Sequence, residues 1–459
     1  MNTRFLVHAI LASASLACSS AGAADLREVY ERALTNDPLI READANRLAA
    51  RESKPQALAA LLPQVNANAN WNDVDSESND FFIAPGIEPE PQAQNFDGNR
   101  SAWNVELRQS VFRWENWATL KRANSERAQA EATYLVAQQD LVIRTAEAYF
   151  NVLAARDTLE AAQAAHDAIA RQLEQSEKRF EVGLIAVTDV QDAKAASDSA
   201  NAALIQAKRN LATAGEILRE LTGDTWDSLE KPGNDMPLSG PNPANPEDWV
   251  KLAMDQNASL IASRLGADIA RANVNVERGG HFPAVDFVIN RGHDEGDGTL
   301  TGTSAGDTES DSDDTVYGIQ VTVPIFSGGF TSSRVRQAKY LSTAANERLE
   351  RTIRETERST RDAYLGVDAE VARVQSLKQA VESAQTALQA TEAGYEVGTR
   401  TSVDVLQARQ RLFQSQTDYA RSRYDYLLNV LRLQQAAGTL DRKGLEEINA
   451  LLTENVPVR

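Results

Sequence analysis

Residues 179–190 read Arg-Phe-Glu-Val-Gly-Leu-Ile-Ala-Val-Thr-Asp-Val, and residues 394–405 repeat the pattern as Gly-Tyr-Glu-Val-Gly-Thr-Arg-Thr-Ser-Val-Asp-Val. The two copies are 215 residues apart, as measured from Gly183 to Gly398 (398 − 183). In both copies a long helical pattern ends at the glycine, which takes the left-handed conformation of a helix C-terminus without strain, and a second pattern starts after it. Each copy is therefore predicted to be the tip of a helical hairpin. In the first copy, Thr188, with Gln191 three residues later as its capping partner, is predicted to cap the returning helix.

The tips belong to a duplication that covers most of the chain. Alternating apolar and polar residues predict strand pairs at residues 65–71 with 103–108 and at 285–290 with 317–323. A Pro-free helix of about 70 residues, roughly 100 Å long, follows each pair. The unit of helix, strand, loop, strand, very long helix, tip and helix thus occurs twice. The predicted segments are a signal peptide at 1–24, a first repeat at 25–223, an irregular equatorial link at 224–246, a second repeat at 247–438 and a C-terminal tail at 439–459.

Composition and the first residues restrict the location and the partners. Lys and Arg total 47 against 66 Asp and Glu, a net charge of −19, so we expect no basic face for nucleic acid. Arg4, an apolar stretch at 5–17 and the small-residue site around Ala23 predict an exported protein. The only cysteine, Cys18, lies in this signal, and Ser15 three residues before it argues against lipidation. No other segment approaches the about 20 apolar residues of a membrane helix, so a membrane crossing would need strands.

Each predicted strand has an apolar and a polar face, which two architectures explain. In a soluble sheet the apolar face packs on a core, whereas in a membrane barrel it meets lipid while the polar face lines water. An Asn-rich polar face at Asn66, Asn68 and Asn70, a Trp near the end of two strands and long polar loops, predicted at residues 73–100 and 293–314, favour the barrel. Four strands cannot close a barrel, so we expect the chain to oligomerise, with two copies giving eight strands or three copies twelve.

Three stretches carry a resemblance to a known family: residues 180–190, residues 398–406, and the ending Leu-Arg-Leu-Gln-Gln-Ala-Ala-Gly-Thr-Leu at 431–440. The sequence resembles the TolC family of outer-membrane export channels, in particular its type I secretion branch, over nearly the whole mature chain. The resemblance implies an α+β membrane protein with internal duplication. It implies a homotrimer whose protomers each give four strands to a shared twelve-stranded outer-membrane barrel, continued by a long helical tunnel in the periplasm. The implied partners are outer-membrane lipid, a periplasmic adaptor protein and an inner-membrane ABC or RND transporter.

The resemblance gives the tips the role of a gate at the periplasmic end of the tunnel. It implies that Asp189, with Thr188 beside it, pairs with Arg400 and Tyr395 to hold the tips closed. Simpler explanations exist for the same residues. An acid in the first turn of a helix is favoured by the helix dipole and by capping, and Arg400 fits a solvated loop.

The resemblance also implies an acidic ring that narrows the closed mouth and favours cations. Asp404 matches the first position of this ring, whereas the second position holds Gln407, a departure from the family pattern. Asp192 lies at the equivalent place in the first repeat (192 + 215 = 407) and is the candidate substitute. The tip residues implied to contact the adaptor are Val182, Gly183, Leu184, Val397, Gly398 and Thr399.

The predicted function is a passive exit duct of a tripartite export system, which passes secreted proteins or small toxic compounds to the exterior. The sequence has no nucleophile elbow, no phosphate-binding loop and no metal-binding spacing of its four His, so we predict no enzyme, cofactor or metal site. A trimeric adhesin also builds a twelve-stranded barrel, but from consecutive C-terminal strands, whereas the strands here form two separated pairs. A soluble periplasmic coiled-coil scaffold is the other alternative. The sequence does not identify the cargo.

Overall fold

The structure is a computed structural model, and it describes residues 23–81, 91–233, 235–302 and 305–458. The helices are α1 (Leu26–Asn36), α2 (Pro38–Arg51), α3 (Ser53–Ala59), α4 (Trp114–Glu181), α5 (Val187–Thr222), α6 (Pro246–Gln256), α7 (Ala258–Arg278), α8 (Phe330–Glu396), α9 (Ser402–Ala437) and α10 (Arg442–Asn449). The strands are β1 (Gln64–Phe81), β2 (Pro91–Arg113), β3 (Ser228–Pro232), β4 (Ala284–Gly302), β5 (Gly306–Thr322) and β6 (Leu452–Pro457). The predicted signal peptide lies almost wholly outside the described residues, and the predicted segment boundaries stay predictions.

Two very long helices, α4 with 68 residues and α8 with 67, form the largest part of the two repeats. A pair of long strands precedes each of them, and a returning helix of 36 residues follows, α5 in the first repeat and α9 in the second. The predicted internal duplication is therefore confirmed. Among the helices of the described residues, none is long and apolar enough to cross a membrane.

The four long strands form one antiparallel sheet in the order β1-β2-β4-β5. The strands of each repeat pair with each other, and the central pairing of β2 with β4 joins the two repeats. In the part of the sheet that the structure describes, β1 and β5 each have a neighbour on one side. Within the described residues, the sheet of a single chain therefore ends in two free edges.

The loops predicted at 73–100 and 293–314 are wrong over most of their length. Inside the first of these segments Asp75 pairs with Asp97 in the β1–β2 ladder, and β4 and β5 stay paired in the same way through most of the second. The physical reason is that ladder hydrogen bonds join backbone groups. An antiparallel pair can therefore extend past the point where its side chains stop alternating between apolar and polar.

The contacts within the described chain divide it into two units, and the long sheet belongs to one of them. This unit consists of Glu42–Ala137 and Met254–Arg358. Asp286 is buried here and accepts a hydrogen bond from Arg113, the last residue of β2, at 2.9 Å. Arg334 of α8 donates to both carboxylate oxygens of Glu277 in α7, at 2.8 and 2.9 Å. Such paired charges fix the strand ends and the helices that adjoin them.

The other unit contains the hairpin tips and a second, smaller sheet. Among the described residues, it consists of residues 23–41, 138–233, 235–253 and 359–458. Its core includes the fully buried Tyr149 and Phe150 of α4, and the Phe150 ring stacks on Tyr424 of α9 at 5.7 Å. The link that we predicted to be irregular contains β3, and the tail contains β6, which pairs antiparallel with β3. Ala24 adds a parallel bridge at Leu229, so the segment just before α1, the link and the tail meet in this sheet.

Candidate functional site

Two glycines end the long helices at the hairpin tips. Gly183 and Gly398 have φ angles of 78° and 79°, in the left-handed region that glycine adopts without strain. In each tip the residue after the glycine donates its amide hydrogen to the carbonyl oxygen five residues earlier, at 2.9 Å in the first tip and 2.8 Å in the second. This bond belongs to the Schellman motif of helix C-termini. These turns are the hairpin tips that the duplicated motif predicts.

The two returning helices start differently. At the start of α9, the Thr401 hydroxyl accepts the amide hydrogen of Asp404 at 3.2 Å, and the Asp404 carboxylate accepts the Thr401 amide hydrogen at 2.9 Å, which is a capping box. The hydrogen bonds from Thr401 lower the pKa of the Asp404 carboxyl. At the start of α5 the cap position holds Ala186, without a side-chain hydrogen bond. The predicted cap at Thr188 is wrong, because α5 begins at Val187 and Thr188 already lies in the first turn.

Among the described residues of one chain, the gate residues predicted in the first tip have no ion pair or hydrogen bond with the second tip. Thr188 is exposed and Asp189 is half-buried in the first turn of α5, where a helix N-terminus favours negative charge. Among the described residues of the two tips, the ion pairs within 4 Å lie inside each hairpin and do not include Asp189. The pairing of Asp189 with the second tip therefore stays a prediction.

The gate residues predicted in the second tip, Tyr395 and Arg400, have different surroundings. The guanidinium of Arg179 in α4 lies over the Tyr395 ring, 4.8 Å from its centre. The Tyr395 hydroxyl is buried and has no hydrogen-bond partner among the described residues. The Arg400 side chain packs against Gly394, where a Cβ would lie 2.8 Å from Arg400 Cγ. Within one chain, Tyr395 thus contacts the other hairpin, whereas Arg400 folds back on its own.

The residues of the predicted acidic ring lie near the starts of the two returning helices. Arg400 and Arg411 are positive charges close enough to Asp404 to lower the pKa of its carboxyl further. Asp192 is exposed on α5. Gln407 lines a groove of 760 Å³ bordered by α4, α5 and α9. A ring needs more than one chain, so the narrowing role of these residues stays a prediction.

The tip residues predicted to contact an adaptor form an exposed and partly apolar surface. Val182, Leu184 and Val397 expose 71%, 72% and 75% of their surfaces. The remaining members, also exposed, are Gly183, Gly398 and Thr399. Neighbouring exposed apolar side chains are typical of a surface that a protein partner covers. The contact with an adaptor stays a prediction.

Sequence reasoning missed a clamp between the two hairpins. Arg409 of α9 donates to the Glu392 carboxylate of α8 at 2.8 and 3.2 Å, and to the Ala168 carbonyl oxygen of α4 at 2.9 Å. Its side chain is 18% exposed, so these charge-assisted bonds are partly shielded from water. No spacing signal marks the group, because Arg409 and Glu392 lie on different helices and Ala168 contributes its backbone. The contact of Arg179 with Tyr395 was missed for the same reason.

Comparison with known proteins gives concordant matches over almost the whole chain. The profile of the outer membrane efflux protein family matches residues 29–224 and 249–439. The chain is 36% identical to the outer membrane protein TolC of Vibrio cholerae serotype O1 over 435 residues, 94% of each chain. It is 28% identical to the alkaline protease secretion protein AprF of Pseudomonas aeruginosa over 433 residues, 93% of this chain and 86% of that one. The solved CmeC outer membrane channel of Campylobacter jejuni matches with a TM-score of 0.71 at 18% identity, covering 93% of this chain and 90% of that one.

The fold class, location and function inferred from the sequence are confirmed by these matches. The chain has the fold of the outer-membrane channels, with strands for a shared barrel and long helices for a periplasmic tunnel. It is an outer-membrane protein and serves as the exit channel of an export system, and the adhesin and scaffold alternatives are not favoured. The chain belongs to the outer membrane efflux protein family.

Proposed function

We propose that the chain works as a homotrimeric exit duct, together with a periplasmic adaptor protein and an inner-membrane ABC or RND transporter, and without catalysis of its own. The sheet supports the trimer, because four strands with two free edges in the described part cannot close a barrel. Strand β5 also exposes an apolar row, in which Tyr317, Ile319 and Val321 are 77%, 70% and 59% exposed. Three chains in a shared twelve-stranded barrel remove both edges and bring this row into outer-membrane lipid.

The hairpin tips are the gate of this duct. When the gate is closed, Asp189, with Thr188 beside it, pairs with Arg400 and Tyr395 of a second tip. The observation that carries this proposal is that two opposite charges make no ion pair in the described part of the single chain. Among the residues that the structure describes, Asp189 and Arg400 have no ion-pair partner within 4 Å. Pairing them satisfies both charges where the two kinds of tip meet in the assembly.

The charge at the closed mouth selects the ions that pass it. Asp404, repeated three times by the trimer, forms a ring of carboxylates, and Asp192 supplies the second acid that Gln407 lacks. The hydrogen bonds from Thr401 keep the pKa of the Asp404 carboxyl low, so this carboxylate stays ionised over the working pH range. A ring of fixed negative charge favours cations over anions.

The gate is tested by single-channel conductance of purified full-length protein in planar bilayers. The double variant Arg400→Ser, Tyr395→Phe removes the predicted partners of Asp189, so its closed-state conductance is expected to rise several-fold over the parent. Arg354→Ser is a matched control, because Arg354 is an exposed arginine that pairs with Glu350 of its own helix. A double variant that conducts like the parent would argue against the gate.

The adaptor contact is tested by cross-linking from single cysteines. Since the only native cysteine is Cys18, in the predicted signal peptide, a cysteine placed at Leu184 or Val397 is unique in the mature chain. Both tip variants are expected to cross-link to a periplasmic protein in intact cells of the native host. Glu309→Cys, an exposed position in strand β5 of the long sheet, is the control that should yield no such product. Equal labelling from Glu309→Cys and Leu184→Cys would contradict the assignment.

The cargo proposal rests on similarity rather than on a site. The similarity to an alkaline protease secretion protein favours secreted proteins as cargo, and small toxic compounds are the second class. A strain that lacks this chain is expected to lose one or more proteins from its culture medium. If its medium is unchanged and its sensitivity to toxic compounds rises instead, the second class is the correct one.

A further inference from the structure

A cation–π contact joins the two hairpin tips within one chain. The Arg179 guanidinium lies 4.8 Å from the centre of the Tyr395 ring, which is within the range of a favourable interaction. Arg179 is half-buried near the end of α4, whereas the neighbouring Lys178 is exposed and pairs with Glu174 at 2.5 Å. Among the residues that the structure describes, no carboxylate lies within 4 Å of the Arg179 guanidinium. The aromatic ring is therefore the group that this cation faces.

A difference between the two repeats makes this contact possible. At the offset of 215 residues, Gly394 takes the place of Arg179, and Phe180 takes the place of Tyr395. The missing side chain at Gly394 leaves room for Arg400, whose Cγ would lie 2.8 Å from a Cβ at that position. Each tip thus holds one arginine. Arg400 folds back on its own hairpin, while Arg179 reaches the other one.

We propose that Arg179 is a positioning residue of the gate, which holds the Tyr395 ring, and with it the end of α8, against the end of α4 while the tip is closed. The inference rests on the gate function proposed above. The buried Tyr395 hydroxyl has no partner among the described residues, so within one chain the ring makes the contact. The Arg409 clamp already ties α8 and α9 to the backbone of α4, and Arg179 adds a second link between the hairpins at their ends.

The first test compares three substitutions in the purified full-length protein in planar bilayers. Arg179→Gln removes the cation, and the conductance of the closed channel is expected to rise between about twofold and about twentyfold, as the usual strength of a cation–π contact implies. Arg179→Lys keeps a charge but loses the planar guanidinium that stacks on the ring, so its rise is expected to be smaller. Lys178→Gln removes the same charge one residue away and should conduct like the parent.

A double-mutant cycle separates the contact from a general loss of structure. In a Tyr395→Leu background, where the ring is absent, Arg179→Gln is expected to add no further conductance. In a Tyr395→Phe background, where the ring remains, Arg179→Gln is expected to act at full strength. Parent-like conductance of Arg179→Gln, or an equal effect of Arg179→Gln in both backgrounds, overturns the proposal. If Arg179→Gln does not assemble, the Tyr395 variants decide, because Tyr395→Leu must open the channel further than Tyr395→Phe.

Failure of this inference differs from failure of the gate proposal. If the Arg400→Ser, Tyr395→Phe variant opens the channel while Arg179→Gln does not, the gate stands and Arg179 has no part in it. If both variants conduct like the parent, the tips are not the gate, and the role of Arg179 is rejected with it.

Discussion

At the scale of single residues, the two tips differ in how their returning helices begin. Thr401, which caps α9, is matched at the offset of 215 residues by Ala186, whose side chain cannot accept a hydrogen bond. Both helices nevertheless carry an acid at their third position, Asp189 in α5 and Asp404 in α9. The acid of α9 is bound by its own cap. The acid of α5 is left available to a partner from another hairpin, which agrees with the asymmetric gate proposed above.

The capping box makes Thr401 important for the first turn of α9. Thr401→Ala leaves the Asp404 amide without its acceptor and is expected to destabilise this turn by about 1 kcal/mol. Hydrogen exchange of the amides at 402–405, followed by mass spectrometry, should therefore accelerate about fivefold. Thr188→Ala is the matched control at the first tip, because Thr188 is exposed and caps nothing. Equal acceleration at both tips would contradict the asymmetry of the caps.

The capping box also makes the second tip sensitive to acid. Because hydrogen bonds from Thr401 lower the folded-state pKa of Asp404, its contribution to stability is present above the unfolded-state pKa and is lost as the pH falls through the lowered folded pKa. Amide protection in the first turn of α9, corrected for intrinsic exchange, is therefore expected to drop in acid. The Asp404→Asn variant should lack this drop. If it keeps the drop, another group is responsible for the acid sensitivity.

The sequence predicted the tip glycines correctly but misplaced one cap, for a local reason. A left-handed residue at the end of a long helical pattern is a strong requirement, and the glycines at 183 and 398 meet it. A cap is a weaker signal. Thr188 with Gln191 three residues later has the composition of a capping box, and yet Thr188 is not the cap of α5. What decides is where the chain leaves the extended conformation, and Ala186 is the last extended residue before α5.

At the scale of secondary-structure elements, side chains of the long helices hold the small sheet by its backbone. The Tyr149 hydroxyl of α4 donates to the Glu230 carbonyl oxygen in β3 at 2.5 Å. Arg423 of α9 donates to the Pro232 carbonyl oxygen at 2.9 Å. Since the acceptors are backbone carbonyls, the strand needs no particular side chains for these bonds. A buried tyrosine and a nearly buried arginine thus join α4 and α9 to the link between the repeats.

Asp157 introduces a pH dependence into this junction. The Tyr424 hydroxyl donates to its carboxylate at 2.6 Å, and the Lys231 ammonium lies at 3.9 Å. Burial nevertheless raises the pKa of the Asp157 carboxyl above its usual value, against the opposing effects of these two partners. A raised folded-state pKa means that the contribution to stability is full below the unfolded-state pKa and is lost as the pH rises through the folded pKa.

The Asp157→Asn variant tests this dependence. In the parent, the contribution of Asp157 to the apparent unfolding temperature is expected to decline from acid towards neutral pH. Asparagine cannot ionise, yet it can still accept the Tyr424 hydroxyl, so the difference in unfolding temperature between variant and parent should become more favourable to the variant as the pH rises. Melting curves from circular dichroism in detergent, at several pH values, measure this difference. A difference that is constant over the pH range would show that Asp157 does not titrate there.

Sequence patterns predicted the long elements well and the short ones poorly. The helices α4 and α8 follow from long stretches without Pro, which leave tens of residues to maintain one conformation. The pairing of β3 with β6 involves five and six residues that lie more than 200 positions apart. Such a pairing has no local signature, because its two segments lie far apart in the sequence and β3 is bound by side chains of α4 and α9. The polar continuations of β1 and β2 were missed, because the alternation of apolar and polar residues ends before the hydrogen-bonded pairing of the two strands does.

At the scale of the whole molecule, the edges of the long sheet decide how many copies are needed. The sequence predicted four strands and the need for more than one chain, and the family resemblance supplied the number three. The count itself could not be derived from the residues, because it depends on the strand tilt and stagger of the closed barrel. The described part of one chain leaves β1 and β5 with free edges, so the fold of a single copy is incomplete as a channel.

The apolar face of β5 provides the test of this assembly. Ile319 is 70% exposed in the single chain, and its neighbour Gln320 points to the opposite, polar face of the strand. If the chain worked alone in water, a lysine at either position would be tolerated. In a membrane barrel, Ile319→Lys places a charge in lipid, at an expected cost of about 2–4 kcal/mol near the middle of the bilayer, whereas Gln320→Lys places it in the aqueous lumen. Ile319→Lys is therefore expected to lose the heat-resistant trimer on gels and its recovery in the outer-membrane fraction, and Gln320→Lys is expected to keep both. A trimer that forms equally well from both variants would mean that this face of β5 does not meet lipid.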